Sequence, residues 1–294
     1  MGWRERYLAV DWGTTNRRAY LLDGGGALLD EFADECGLKS VPSGGFDAAV
    51  GQIRRRLGNH PMLLAGMVGS NKGWREARYV PCPAGTRDLA KAILWVEEGR
   101  SGIVPGVCQT GAAGADVMRG EEVQVVGAAA RGLVPPDATI CHPGTHAKWI
   151  RMQGGRIAAF RTMMTGELFS LLSDYSILAD QLTGEAQVDE AFHAGVAEAL
   201  RGGDILSGLF RIRARHLLGE SVGEPASYAS GLLIGCDVRA GLAMTGAGPV
   251  ALIGRLDLCA LYAAAIAQAG GSTTQLDGAD AFLAGMHLLT EMLP

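Results

Sequence analysis

The chain has no apolar run approaching the roughly 20 residues that a bilayer span needs. Its longest candidate, from Pro249 to Gly270, is broken by Arg255 and Asp257, so no membrane partner is expected. Met1 to Arg6 hold no apolar signal core, and Arg6 stands where a myristoylation motif beginning at Gly2 would want Ser or Thr. The expected location is the cytoplasm. Six cysteines are scattered singly with no Cys-x-x-Cys pair, which excludes a disulfide-framed mini-protein and points to buried, reduced thiols. An excess of basic charge is missing too. Lys and Arg number 26 against 31 Asp and Glu, a net charge of −5, and a run as short as Arg54 to Arg56 supplies no stripe for a phosphate backbone. No nucleic-acid partner is expected.

What is present is 294 residues, 48% of them hydrophobic, enough for one large domain or two ordinary ones. Glycine is in excess: 43 residues, about twice the usual share of roughly 7%, placed at turns between apolar runs. The pattern predicts strands at Tyr7 to Asp11, Arg17 to Leu22 and Leu28 to Phe32, a helix over Phe46 to Leu57, and a strand at Met62 to Ala65. A helix near Arg87 to Ile93 and a strand near Ile103 follow. The second half repeats the plan: strands at Thr139 to His142, Lys148 to Met152 and Ile157 to Thr162, then helices, a strand at Val250 to Ile253, a helix at Leu258 to Ala269, a strand near Thr273 and a helix at Ala281 to Met292. Gly13-Thr14 and Gly144-Thr145 lie 131 residues apart, and Gly24 and Gly155 share that offset. Two pseudo-symmetric α/β lobes, 1–106 and 107–294, are the expectation.

The first turn reads DWGTTNRR from Asp11 to Arg18. Gly13 lets the backbone approach an anion, Thr14, Thr15 and Asn16 offer donors for phosphate oxygens, and Asp11 offers a carboxylate to Mg²⁺. The same residues also suit an ordinary hairpin. In HPGTHAKW, His142 to Trp149, Gly144, Thr145 and His146 are candidate phosphate donors and Lys148 a neutralising charge. A zinc site built on Cys141, His142 and His146 lacks a fourth ligand. A Cys141–His142 nucleophile pair fails because neighbours on a strand face opposite ways. In DVMRGEEVQVVG, Asp116 to Gly127, Glu121 and Glu122 open a helix, and either favour its N-terminus electrostatically or supply a base to an acceptor hydroxyl. The loop AGMVGSNKGW exposes Ser70, Asn71 and Lys72, suited to a polyhydroxylated acid or to plain solvent. In FRTMMTGE, Thr165 is placed to cap a helix and Arg161 to grip a carboxylate.

Taken in order, DWGTTNRR, GMVGSNKGW, MRGEEVQVVGA, PGTHAKW and FRTMMTGEL make the chain resemble the 2-dehydro-3-deoxygalactonokinase family of the actin-like sugar kinase superfamily. The resemblance runs from about Tyr7 to near the C-terminus. It implies two ribonuclease-H-like lobes with a nucleotide cleft, and ATP- and Mg²⁺-dependent phosphorylation of 2-dehydro-3-deoxy-D-galactonate at its 6-hydroxyl in galactonate catabolism. It further implies that Asp11 through Asn16 form the first phosphate loop, with Asp11 organising the metal, and Gly144 through His146 the second. Glycerol-kinase-like relatives place Gly-Asp-Gln, with the Asp as base, where this chain has Gly120-Glu121-Glu122, which favours Glu121 ahead of Glu122 and Asp116. The superfamily's late glycine-rich turn, against which adenosine packs, is replaced by Gly254-Arg255, leaving the adenine contacts open. Arg17, Arg18, Lys72 and Arg161 compete to hold the substrate carboxylate, with Ser70, Asn71 and Lys148 as further substrate contacts. A homodimer is expected by analogy with related kinases. Two rivals stand: a kinase for 2-dehydro-3-deoxygluconate, and a non-catalytic actin-like nucleotide switch. The six residues before Tyr7 are too few for a helix-turn-helix and weigh against a regulator.

Overall fold

The computed structural model describes residues 2–111, 114–220, 223–246 and 248–293. Three strands, β1 (Arg6–Trp12), β2 (Arg17–Asp23) and β3 (Leu28–Asp34), lead into helix α1 (Phe46–Leu57) and strand β4 (Met62–Gly66). β5 (Tyr79–Pro81), α2 (Thr86–Lys91), β6 (Leu94–Glu97), β7 (Ser101–Ile103), β8 (Gly106–Gln109), β9 (Asp116–Met118) and α3 (Glu121–Ala130) follow. The second series is β10 (Thr139–His142), β11 (Ala147–Gln153), β12 (Arg156–Met163), α4 (Thr165–Tyr175), α5 (Glu190–Leu200), α6 (Ile205–Leu218) and α7 (Pro225–Thr245). It closes with β13 (Val250–Ile253), α8 (Leu256–Gln268), β14 (Thr273–Leu276) and α9 (Gly278–Glu291).

Two sheets carry one plan. Their orders are β3-β2-β1-β4-β7-β6 and β12-β11-β10-β13-β14. β1 pairs antiparallel with β2 and parallel with β4, as β10 does with β11 and β13. The parallel series continues through β7 in one and β14 in the other. The duplication expected from the Gly-Thr spacing is therefore present at the level of strand order, and both Gly-Thr pairs sit in the turn after the first strand of their sheet. β1 and β4 are buried along almost their whole length, the mark of parallel strands covered on both faces. α1 covers the first sheet with Phe46, Ala49, Val50, Ile53 and Leu57, a stripe at helical spacing. A small sheet β5-β8-β9 is additional.

By contacts the chain forms two compact units. The first holds residues up to Asp137, Met152–Phe160 and the residues from Asp277 onward; the second holds Ala138–Arg151 and Arg161–Leu276. This division falls elsewhere than 106/107. β8 pairs with β5, and α3 packs along α9 so closely that a Cβ on Gly127 would lie 2.1 Å from the Ala281 carbonyl oxygen. Both pairings bind residues after 106 to the first unit. Among the described residues no helix is long and apolar enough to cross a membrane.

Candidate active site

In the first unit, β1 and β4 end side by side, with Asp11 opposite Ala65 and Trp12 opposite Gly66. Gly66 has φ +92°, and a Cβ there would lie 2.6 Å from the Trp12 carbonyl oxygen. Gly120, with φ +113°, comes so close that its Cβ would meet the Gly66 Cα at 3.3 Å. Two glycines thus bring the start of α3 onto the ends of β1 and β4, in backbone conformations that L side chains rarely adopt. Glu121 and Glu122 enter the site by this route. Burial pushes the Asp11 carboxyl up to about 6; Arg18, its register partner on β2, opposes the rise and the charge of Glu121 adds to it. Glu122 is fully buried, its Oε2 accepting the Gly120 N–H at 2.6 Å, and burial followed by the neighbouring Glu121 pushes it up to about 8. Glu121 is only half-buried, its Oε2 accepting the Arg119 N–H at 3.2 Å. Asp116 lies instead in the small sheet, opposite Gln109.

The first turn closes with the Gly13 N–H donating to the Asn16 carbonyl at 2.9 Å. The carbonyls of Gly13, Thr14 and Thr15 accept from the N–H groups of Leu38, Lys39 and Gly37. Pinned through its carbonyls, the turn leaves Thr14, Thr15 and Asn16 exposed, and the last two border an open hollow of about 470 Å³ with Glu35, Lys39 and Ser40. Arg17 departs from expectation. It is 1% exposed, paired to Asp34 at 2.6 Å, bonded to the Ala49 carbonyl at 3.1 Å and stacked on Trp12 and Phe32. The alternation of β2 turns it inward, so it is a core cation and no substrate ligand. Arg18 is exposed. In the loop after β4, Ser70 is buried with its Oγ accepting the Lys72 N–H at 3.4 Å, while Asn71 and Lys72 are exposed.

In the second unit, the turn Gly144–His146 lies against the start of α4. The Thr145 carbonyl accepts the Glu167 N–H at 2.9 Å, and a Cβ on Gly166 would stand 2.5 Å from the Gly144 carbonyl oxygen. His146 Nε2 meets Glu167 Oε2 at 2.5 Å. Lys148 is buried, its Nζ donating back to the His146 carbonyl at 3.3 Å. Gly254 adjoins the same turn, within 3.2 Å of the Pro143 carbonyl oxygen measured from an added Cβ. Thr165 does not cap α4, whose N-cap position is Met164; its hydroxyl donates to buried Asp237. Arg161 is exposed on β12. Beside the turn opens a mainly apolar cavity of about 380 Å³, walled by Gly144, Gly166, the segment 184–188, Leu233, Arg255 and Tyr262. Arg255 is held at its rim by Asp257, Nε to Oδ1 3.1 Å.

The profile of the 2-keto-3-deoxy-galactonokinase family matches residues 11–289. The chain belongs to that family. It is 36% identical over 288 residues to the 2-dehydro-3-deoxygalactonokinase of Escherichia coli (strain K12), covering 96% of both chains. A crystal structure of a Sinorhizobium meliloti protein assigned to the same activity superposes with a TM-score of 0.89 at 32% identity, covering 95% of this chain and 96% of that one. Component A of the Acidaminococcus fermentans (R)-2-hydroxyglutaryl-CoA dehydratase shares the fold at 12% identity and a TM-score of 0.53, with 98% of each chain covered. Within this family member, sequence reasoning passed over the 184–188 segment, Tyr262 and Asp237. Only Asp237 left a signal, a lone acid after the apolar run GLLIGC.

Proposed function

We propose that this chain transfers the γ-phosphoryl group of ATP to the 6-hydroxyl of 2-dehydro-3-deoxy-D-galactonate, a step in galactonate breakdown. The observation that carries the reading is the junction of β1, β4 and α3, where Glu121 opens a helix beside the desolvated carboxyl of Asp11. Glu121 is the base. It is the half-exposed member of the pair, whereas Glu122 is sealed in and bonded to Gly120. Glu121 takes the proton of the 6-hydroxyl as that oxygen bonds to the γ-phosphorus and the bond from phosphorus to the β,γ-bridging oxygen breaks, releasing ADP.

The residues present fit Mg²⁺. Among the described residues no three His, Cys, Asp or Glu side chains gather into a cage, and Mg²⁺ asks for less, one or two carboxylates with waters and phosphate oxygens. Asp11 would be the carboxylate that holds it, and the ion would neutralise charge on the phosphate oxygens. In the first unit Thr14, Thr15 and Asn16 offer donors suited to phosphate oxygens. In the second, the turn Gly144–His146 is a loop of the same kind. The cavity of the second unit takes the nucleoside, its wall apolar and its neighbour the second phosphate turn. Gly254 supports that turn from behind, and Arg255 stands at the cavity mouth.

The test is ADP release with MgATP in the presence of no acceptor, 2-dehydro-3-deoxygalactonate or its gluconate epimer, with mass detection of the product. Transfer to the galactonate compound is expected. Transfer to the epimer alone keeps the kinase and rejects the substrate, and ATP binding without transfer to either makes the chain a nucleotide switch. Glu121→Gln is expected to bind MgADP normally and to lose about 10²- to 10⁴-fold in turnover; near-normal turnover removes Glu121 as base.

A further inference from the structure

One face of α7 joins the cavity to the core. Ser230, Leu233 and Ile234 line the cavity; one turn on stands Asp237, and one turn beyond that Gly241, where an added Cβ would fall 2.0 Å from the Trp149 ring. Asp237 is 4% exposed, a carboxylate in the middle of a helix. Such a group is costly to bury unless donors surround it. Three do. Its Oδ1 accepts Trp149 Nε1–H at 2.5 Å, and its Oδ2 accepts the Tyr262 hydroxyl at 2.5 Å together with the hydroxyl of Thr165. Burial raises its pKa and the three bonds hold it down.

The donors differ in what they touch. Thr165 and Tyr262 both line the cavity, whereas Asp237 and Trp149 do not. Thr165 is the first residue of α4 and precedes Gly166, which sits against the Gly144 carbonyl. Tyr262 belongs to α8, another part of the wall. A single oxygen therefore ties the start of α4, with the second turn resting on it, to α8.

We propose that Asp237 is a positioning residue for the nucleotide: through Thr165 and Tyr262 it fixes the second turn and the α8 wall in the arrangement that binds the nucleoside phosphate. The inference rests on the reading above that this cavity takes the nucleotide. It makes Asp237 a determinant of nucleotide affinity although it touches no ligand. Sugar acid binding and the chemical step lie outside its reach.

The test is titration calorimetry with MgADP, with steady-state kinetics for ATP and the sugar acid measured separately. Asp237→Asn is expected to raise the MgADP dissociation constant and KM for ATP about tenfold, the effect of disturbing hydrogen bonds to a charged group. kcat and KM for the sugar acid should stay within twofold. Tyr262→Phe should weaken MgADP binding in the native background and add little when Asp237 is already Asn, since both changes act on one link. Trp149→Phe, which removes the donor remote from the cavity, should lower stability and leave MgADP affinity within twofold. Unchanged affinity in Asp237→Asn overturns the proposal, as does a Tyr262→Phe effect that persists in full beside Asp237→Asn. If Asp237→Asn does not fold, Thr165→Val against Trp149→Phe decides: equal losses of affinity make the network merely structural and sink the inference. Native protein that binds no MgADP rejects the nucleotide reading itself; native binding with indifferent variants rejects only the role of Asp237.

Discussion

Replacing Arg17 by Met separates a structural cation from a substrate ligand. The side chain is 1% exposed and its partner Asp34 36% exposed, so the substitution removes a two-pronged ion pair with Nε–Oδ1 at 3.2 Å and Nη2–Oδ2 at 2.6 Å, and the bond to the Ala49 carbonyl. A buried pair of this geometry would cost about 3–5 kcal/mol to break, but Asp34 regains water when released, which reduces the charge contribution. The guanidinium also lies 4.9 Å from the Trp12 ring centroid and 5.8 Å from that of Phe32, contacts worth about 0.5–1 kcal/mol each. Met keeps the length of the stem and restores apolar packing. The expected net loss is about 2–3 kcal/mol, seen as a lower urea midpoint and a Tm lower by about 4–10 °C, while KM for the sugar acid stays within twofold. A tenfold rise in that KM with an unchanged urea midpoint would refute the reasoning and make Arg17 a ligand.

Glu122→Gln tests the sealed carboxyl. Because its folded pKa, about 8, lies above the ordinary glutamate value of 4.5, the native state binds more protons than the unfolded one between those values, and stability falls as pH rises through that window. The urea midpoint of Glu122→Gln should therefore gain on the native protein from pH 5 to pH 8; a gap that stays constant contradicts the shift. Gly166→Ala would place a methyl 2.5 Å from the Gly144 carbonyl oxygen and should displace the second turn, raising the MgADP dissociation constant about tenfold, the scale of one lost charge-assisted hydrogen bond. Native affinity in that variant would detach the turn from nucleotide binding.

Much of this architecture is legible before any coordinates. α1 appears over the span its apolar spacing predicts, and the duplicated strand order follows the Gly-Thr repeat. The small sheet β5-β8-β9 is not legible, because its strands have only three or four residues, leaving no alternation to read, and β5 reaches β8 past α2, β6 and β7. α7 is hidden for the opposite reason: it is buried nearly all round, so no polar face marks its period. At the site, the sequence marks which segments converge and misleads about single side chains. Arg17 and Arg18 look alike in RRAYLLD, yet strand alternation puts one in the core and the other in water. Thr165 looks like a cap, but Asp237, 72 positions later in sequence, claims its hydroxyl.

The packing of α9 on α3 has a consequence for how the protein is made. α3 carries the proposed base, and its Val123 carbonyl lies 2.1 Å from where a Cβ on Gly285 would be. A ribosome emits α3 long before α9, and in the interval the second unit's chain from Ala138 onward is synthesised. During that time the face of α3 destined for α9 is bare, and the first unit has a vacancy in its core. Until α9 arrives, the nascent first unit exposes apolar helix surface of the kind that promotes aggregation and that chaperones cover.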